Sequence, residues 1–318
     1  MEQKTVLITG CSTGIGLAIA AKLATDEQKR FKVYATMRNL KKREALEEAA
    51  GEAGEGTLHI RQLDVCDEES IQNCLNSIPE RHIDILINNA GIGLIGPVEC
   101  LSIEEMKAVF ETNFFGVVRM IKAVLPDMKA RRNGHIVVMS SVLGLQGIMF
   151  NDVYAASKFA VEGFCESLVV QTLKFNINIT LIEPGPVVTE FEKKVFEEAV
   201  KADYSSTDPD TADMFVKVYL ENTKSIFSST GQRPEDVAEE TVKVITSEKP
   251  PFRLQTNPLY TPMTALKHVD PTGELATDVF YKMLFQYNKL MRASVGVVRL
   301  LRWKAQKMQQ GLKMLGLY

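Results

Sequence analysis

A mostly parallel β-sheet with helices on both faces is the fold class this sequence predicts, and three observations predict it. Short apolar runs of β type alternate with amphipathic helical stretches over the first 190 of 318 residues, the pattern of parallel strands joined by crossover helices. The first run is followed at once by a glycine-rich turn and a helical pattern. The sixth run closes on Glu183-Pro184-Gly185-Pro186-Val187, where proline cannot continue a central strand and the chain must leave the sheet.

The first unit is the run 5–9, then Gly10-Cys11-Ser12-Thr13-Gly14-Ile15-Gly16, then a helix carrying Leu17, Ala20, Ala21 and Leu23. Glycines let backbone approach a pyrophosphate, and the helix N-terminus offers it unpaired N–H donors. A tight βα loop has the same look, so the turn alone is weak. The second strand, 32–36, leads into Met37 and Arg38. An acid there would bond a ribose 2′-hydroxyl, but no Asp or Glu lies between Val33 and Leu40. Arg38 fits a 2′-phosphate through its planar donor fork, with Ser12 and Thr13 adding hydroxyls, which predicts NADP(H).

The third strand, 58–63, ends in Asp64-Val65, an acid suited to an adenine amino group or to capping the next helix. The fourth, 83–87, runs into Asn88-Asn89-Ala90-Gly91, small residues that let backbone lie against a flat cofactor. Residues 41–50 and 68–78 read as the intervening helices, and 103–128 as one long helix or two joined, with Asn113 inside an apolar stretch. A buried Asn needs partners, as a structural group or as part of a polar relay.

The fifth strand, 136–139, brings in Ser141, and thirteen residues later a helix begins with Tyr154 and Lys158. Four apart, these two share one helix face. A phenol exchanges protons near neutral pH only if positive charge lowers its pKa of roughly 10. Lys158 offers that charge, and Ser141 can bond a substrate oxygen beside the phenol. In isolation the pair reads equally as a solvated helix face.

Taken together, Thr9-Gly10-x-x-x-Gly14-x-Gly16, Asn88-Asn89-Ala90-Gly91, Asn113, Ser141, Tyr154-x-x-x-Lys158 and Pro184-Gly185 resemble the ordered motifs of the short-chain dehydrogenase/reductase superfamily, of Rossmann type with about seven strands. The stretches 150–160 and 183–191 are similar to the branch holding the 17β-hydroxysteroid dehydrogenases and the photoreceptor-type retinol dehydrogenases, the latter more closely and to about residue 275. The resemblance implies that Tyr154 is the general acid/base, that Lys158 lowers its pKa and holds the nicotinamide ribose, and that Ser141 polarises the carbonyl. It also implies that Asn113 holds a relay water and that Val187 and Thr189 meet the carboxamide. Glycine-turn residues Gly10 to Gly16, with Arg38, Asp64, Val65, Asn89, Ala90 and Gly91, would complete the cofactor site. The activity implied is reduction of all-trans-retinal to all-trans-retinol, reversibly. The rivals are a 17β-hydroxysteroid (estrone/estradiol) dehydrogenase and a catalytically silent NADP(H)-binding scaffold, against which the intact Ser141, Tyr154, Lys158 and Asn113 argue.

Residues 190–231, rich in Phe and Tyr, read as a helical lid over an apolar substrate. In the steroid branch a lid His meets the far end of the steroid; the position matched to it here is Val216. A helix start at Pro234 and a last strand at 252–256 follow.

Length and composition agree with one such domain: 45% hydrophobic and 24% charged residues. Five cysteines without a Cys-x-x-Cys pair, and no signal peptide after Met1, suggest reduced thiols on the cytoplasmic side. Four scattered histidines predict no metal. Residues 1–281 hold 29 basic and 40 acidic residues, whereas 282–318 hold eight basic and no acidic ones. In that tail Leu290, Val297, Leu301, Met308, Leu312 and Leu315 share one helical sector, and basic residues occupy the other side. No run reaches the ~18 apolar residues of a membrane span, so the tail is expected to lie on an anionic membrane surface. A homodimer is expected and no nucleic-acid partner is.

Overall fold

The computed structural model describes residues 3–287 together with 293, 294, 296, 297, 300 and 304. Its centre is one seven-stranded parallel sheet in the order β3-β2-β1-β4-β5-β6-β7, with β1 Lys4–Ile8, β2 Phe31–Met37, β3 Leu58–Gln62, β4 Ile85–Asn88, β5 Gly134–Met139, β6 Ile177–Glu183 and β7 Arg253–Gln255.

Two aliphatic layers follow from the two-residue period of the strands. Val6 and Ile8 of β1 face one layer, with α1 (Gly14–Ala24), α2 (Glu44–Ala50) and α10 (Pro234–Thr246). Leu7 faces the other, with α3 (Glu68–Asn76), α5 (Gly116–Arg131) and α6 (Asp152–Thr172). The register carries this second layer straight across the sheet, Leu7 beside Leu86, Leu86 beside Ile136 and Ile136 beside Ile179. All four are essentially inaccessible, and each such side chain stabilises the fold by about 1.5–3 kcal/mol.

From β1 the chain turns one way to β2 and later the other way to β4. The crevice opened by that reversal, beyond the carboxyl ends of β1 and β4, is where this architecture places ligands. The expected helix over 103–128 is α4 (Ile103–Phe110), a π-turn at Glu111–Phe115, and α5. The extra residue of a π-turn rotates the side chains it carries, and Asn113 is among them.

The lid consists of α7 (Glu190–Lys201), α8 (Pro209–Asp213), a π-turn at Met214–Leu220 and α9 (Glu221–Thr230). Its two ends are clamped together: Val188 N–H donates to Gln232 O at 2.9 Å and Gln232 N–H to Pro186 O at 2.8 Å. α11 (Thr261–Val269) and α12 (Glu274–Tyr281) come next, followed by a π-turn at Lys282–Gln286. Of the tail's apolar sector only Val297 is described, and it is exposed; Leu290, Leu301, Met308, Leu312 and Leu315 lie outside the described residues. Among the described residues no helix is long and apolar enough to cross a membrane.

Candidate active site

The glycine turn is shaped for close approach. Gly10 and Gly14 have φ of +74° and +62°, values that L side chains rarely adopt. A Cβ on Gly16 would lie 2.4 Å from both Gly10 O and Asn89 Nδ2. Thr13 N-caps α1 without a side-chain hydrogen bond, and the first turn holds no acid. Its N–H groups are therefore left for an anion. The Arg38 side chain is exposed at the end of β2 and makes no hydrogen bond or ion pair among the described residues. Together these features fit a dinucleotide carrying an extra phosphate.

Other predicted cofactor residues divide between cleft and support. Asn89 donates through Nδ2 to Thr9 O at 2.9 Å and Gly10 O at 3.0 Å, and the Asn89 and Ala90 N–H groups donate to Thr9 Oγ1. The motif thereby fixes the glycine turn to β4. Ile15 packs on the aliphatic layer. Asp64 Oδ1 accepts from Cys66 N–H, while Asp67, not Asp64, caps α3. Val65 is buried against Gly116, which leaves its backbone to meet a ligand. Val187 is buried beside Gln232. Thr189 caps α7 and stands next to Gly14, so the chain leaving β6 folds over the turn.

Beside this cradle the reactive groups converge. Ser141 follows β5, is 9% exposed, and stands close enough to the Tyr154 phenol to oppose the rise in its pKa, while its Oγ donates to Pro184 O at 3.4 Å and accepts from Leu143 N–H at 3.1 Å. One turn along α6, Lys158 is buried, donates from Nζ to Met139 O at 2.8 Å and lies 5.7 Å from the centroid of the Tyr154 ring. Gly91 adjoins both Lys158 Nζ and Asn113 Oδ1. Asn113 is fully buried; its Oδ1 accepts from Ile92 N–H at 2.8 Å, and its Nδ2 donates to Ile92 O at 2.9 Å and Ser157 Oγ at 3.1 Å. Both donors are thus committed to holding the loop after β4 against α6.

One expectation changes. The phenol of Tyr154 stands above its ordinary pKa, not below it: burial and the Glu192 carboxylate raise it, against the Ser141 hydrogen bond. Lys158 is directed at the Met139 carbonyl and the ring face, and burial brings its own pKa down to about 8, with Glu162 opposing the fall. Val216, expected at the substrate, is 44% exposed on the lid, whereas Phe215 and Tyr219 beside it are buried.

The sequence reading also passed over residues that the fold brings in. Glu192, in the first turn of α7, acts on both Tyr154 and Tyr219, and burial carries its carboxyl up to about 7. Asn151 is buried before α6 and donates to Tyr219 Oη at 2.8 Å. Phe150, at φ +61°, directs its ring at Phe215, with centroids 4.9 Å apart. The aromatic richness of the lid was legible; its pairing with residues 150 and 151 was not.

Residues 4–200 match the model of the family described as short chain dehydrogenase. The chain is 56% identical over 288 residues to retinol dehydrogenase 8 of Bos taurus, covering 91% of this chain and 92% of that one. It is 42% identical over 287 residues to 17-beta-hydroxysteroid dehydrogenase type 1 of Homo sapiens, covering 90% and 87%. Among solved structures it resembles the closed form of serine dehydrogenase complexed with NADP+, at TM-score 0.65 and 30% identity over 81% of this chain and 96% of that one.

Proposed function

The chain belongs to the short chain dehydrogenase family, and on that premise we propose that it is an NADP(H)-dependent oxidoreductase interconverting all-trans-retinal and all-trans-retinol. The observation that carries the reading is the meeting of the Ser141 hydroxyl, the Tyr154 phenol and the buried Lys158 ammonium beside an open helix N-terminus. Similarity to retinol dehydrogenase 8 supports the substrate class. The hydride would come from, or go to, a nicotinamide held in this cradle. Tyr154 gives its proton to the carbonyl oxygen in reduction and takes one from the alcohol in oxidation, and Ser141 donates a hydrogen bond to the same oxygen. Burial keeps the Tyr154 phenol protonated, and positive charge from Lys158 and from a bound nicotinamide would lower its pKa toward the range where it exchanges that proton. Arg38, Ser12 and Thr13 would hold the 2′-phosphate, and Lys158 the nicotinamide ribose.

Turnover of all-trans-retinal and of estrone, each with NADPH and with NADH, tests this. Retinal with NADPH should be fastest. Faster estrone reduction would instead favour a 17β-hydroxysteroid dehydrogenase, the reading suggested by the relative at 42% identity. No turnover with either substrate would point to a silent binder.

Residues 1–281 form the catalytic domain in this reading, and 282–318 a basic tail that holds the enzyme peripherally on the cytoplasmic leaflet, where a retinoid resides. Flotation with anionic liposomes should fail for a chain ending at Tyr281 and weaken in high salt; equal flotation by both lengths would remove the tail's role. The enzyme is read as a homodimer, and a monomer mass by light scattering at micromolar concentration would refute that.

A further inference from the structure

Further along the reactive face of α6 lies a charge cluster that the reaction as described leaves unused. Tyr154, Lys158, Glu162 and Glu166 follow one another at intervals of four and so share a helix face. Arg253 of β7 reaches in from the sheet edge. Its Nη1 donates to Glu162 and, at 2.7 Å, to Glu183 Oε1, and its Nη2 donates to Glu166 Oε1 at 2.6 Å. The Glu162 and Glu183 side chains are 5% and 0% exposed, Glu166 59%.

Glu162 also touches the turn that carries Ser141. A Cβ on Gly144 would lie 2.7 Å from Ser140 Oγ, 2.9 Å from Glu162 Cγ and 3.1 Å from Glu162 Oε1. Glu183 precedes Pro184, whose carbonyl accepts from Val142 N–H at 3.0 Å and Ser141 Oγ at 3.4 Å. One guanidinium therefore ties together the Tyr154–Lys158 helix, the Ser141 turn and the end of β6.

We propose that Glu162 is a positioning residue that, anchored by Arg253, sets the Ser141 turn against the Tyr154–Lys158 face and keeps the buried Lys158 ammonium charged. Burying an ammonium favours its neutral form, and a nearby carboxylate opposes this; Glu162 is the group that does so for Lys158. The other ionisable groups facing Glu162 are Glu166 and Cys165 on α6, Glu183 on β6 and Arg253 on β7. Two buried carboxylates share one guanidinium arm, so replacing one by an amide leaves Arg253 paired with Glu183 and Glu166.

This inference rests on the proposed oxidoreductase function, and two readouts separate the two. The first is the pH profile of kcat with NADPH. The second is the pH titration of the Lys158 side chain followed by NMR in the cofactor-free protein, which needs neither turnover nor cofactor. In Glu162→Gln both alkaline transitions should move about one pH unit lower, on the order of tenfold in rate near pH 8. Gly144→Ala, which forces Glu162 away, should shift them in the same sense. Glu162→Asp should restore most of the wild-type profile, and Glu166→Gln should leave it in place. A uniform fall in kcat with neither transition moved would overturn the proposal, as would a profile unchanged in both Glu162→Gln and Gly144→Ala. Absence of turnover in the wild type, with the NMR transition still moved, would count against the oxidoreductase reading alone.

Discussion

The sheet body and the lid are held together by different kinds of core. In the body, aliphatic side chains alternate strictly between two layers, and registered rows such as Leu7, Leu86, Ile136 and Ile179 cross the sheet. The lid is secured by a small aromatic cluster: Phe215 stacks on Tyr219 at 5.4 Å and meets Tyr204 at 5.0 Å and Phe150 at 4.9 Å. One polar contact, Asn151 to Tyr219, joins it to the segment before α6. The body thus derives its stability from many long-range contacts, whereas the lid docks through a few that also border the reactive groups. Docking of the lid can then be altered without unfolding the sheet.

The largest expected effect falls where the two regions meet. Tyr154→Phe should reduce kcat by roughly 10²–10⁴-fold while leaving NADPH affinity nearly intact, because the phenol oxygen serves only the proton transfer. Retention of more than a tenth of the wild-type rate would remove Tyr154 from the mechanism.

A direct contrast comes next. Leu7→Ala should lower global stability by about 2–5 kcal/mol in denaturant unfolding. Phe215→Ala, at an equally inaccessible site, should leave the melting temperature closer to wild type, raise hydrogen exchange mainly over residues 190–231, and lower kcat/KM for the apolar substrate. Equal losses of global stability would show that lid and body unfold as one unit, and the contrast would disappear.

Arg38→Ala tests the body alone. It should weaken NADPH binding about ten- to hundredfold and leave NADH almost unchanged, since a charge-assisted contact contributes roughly 1.5–3 kcal/mol. An equal loss for both cofactors would assign Arg38 to the fold instead.

The smallest effect is a pH dependence of lid docking. Burial raises the Glu192 carboxyl to about 7, so its contribution is greatest at acid pH and is lost as pH rises through about 7. Proteolysis or hydrogen exchange over α7 should be faster at pH 8 than at pH 6, and Glu192→Gln should flatten the difference. Faster exchange at pH 6 would mean that another group governs the lid.

Local pattern carried much of this protein. The two-residue period of the strands, the glycines before Ile15 and Leu17, the prolines after Glu183 and the four-residue interval from Tyr154 to Lys158 are short-range features, so the seven-stranded sheet and the candidate reactive residues were legible in order. Tertiary structure decided what opposes each of them. The π-turn at Glu111–Phe115 directs Asn113 at Ile92 and Ser157. Val216 is exposed while Phe215 is buried, because a second π-turn rotates that face of the lid. Arg253 meets Glu162 across 91 positions of chain, and Glu192 reaches Tyr154 only because the lid folds back over α6. Periodicity specifies which side of an element is apolar; which distant charge faces a buried phenol or ammonium depends on packing, and in a poorly solvated interior that charge governs the chemistry.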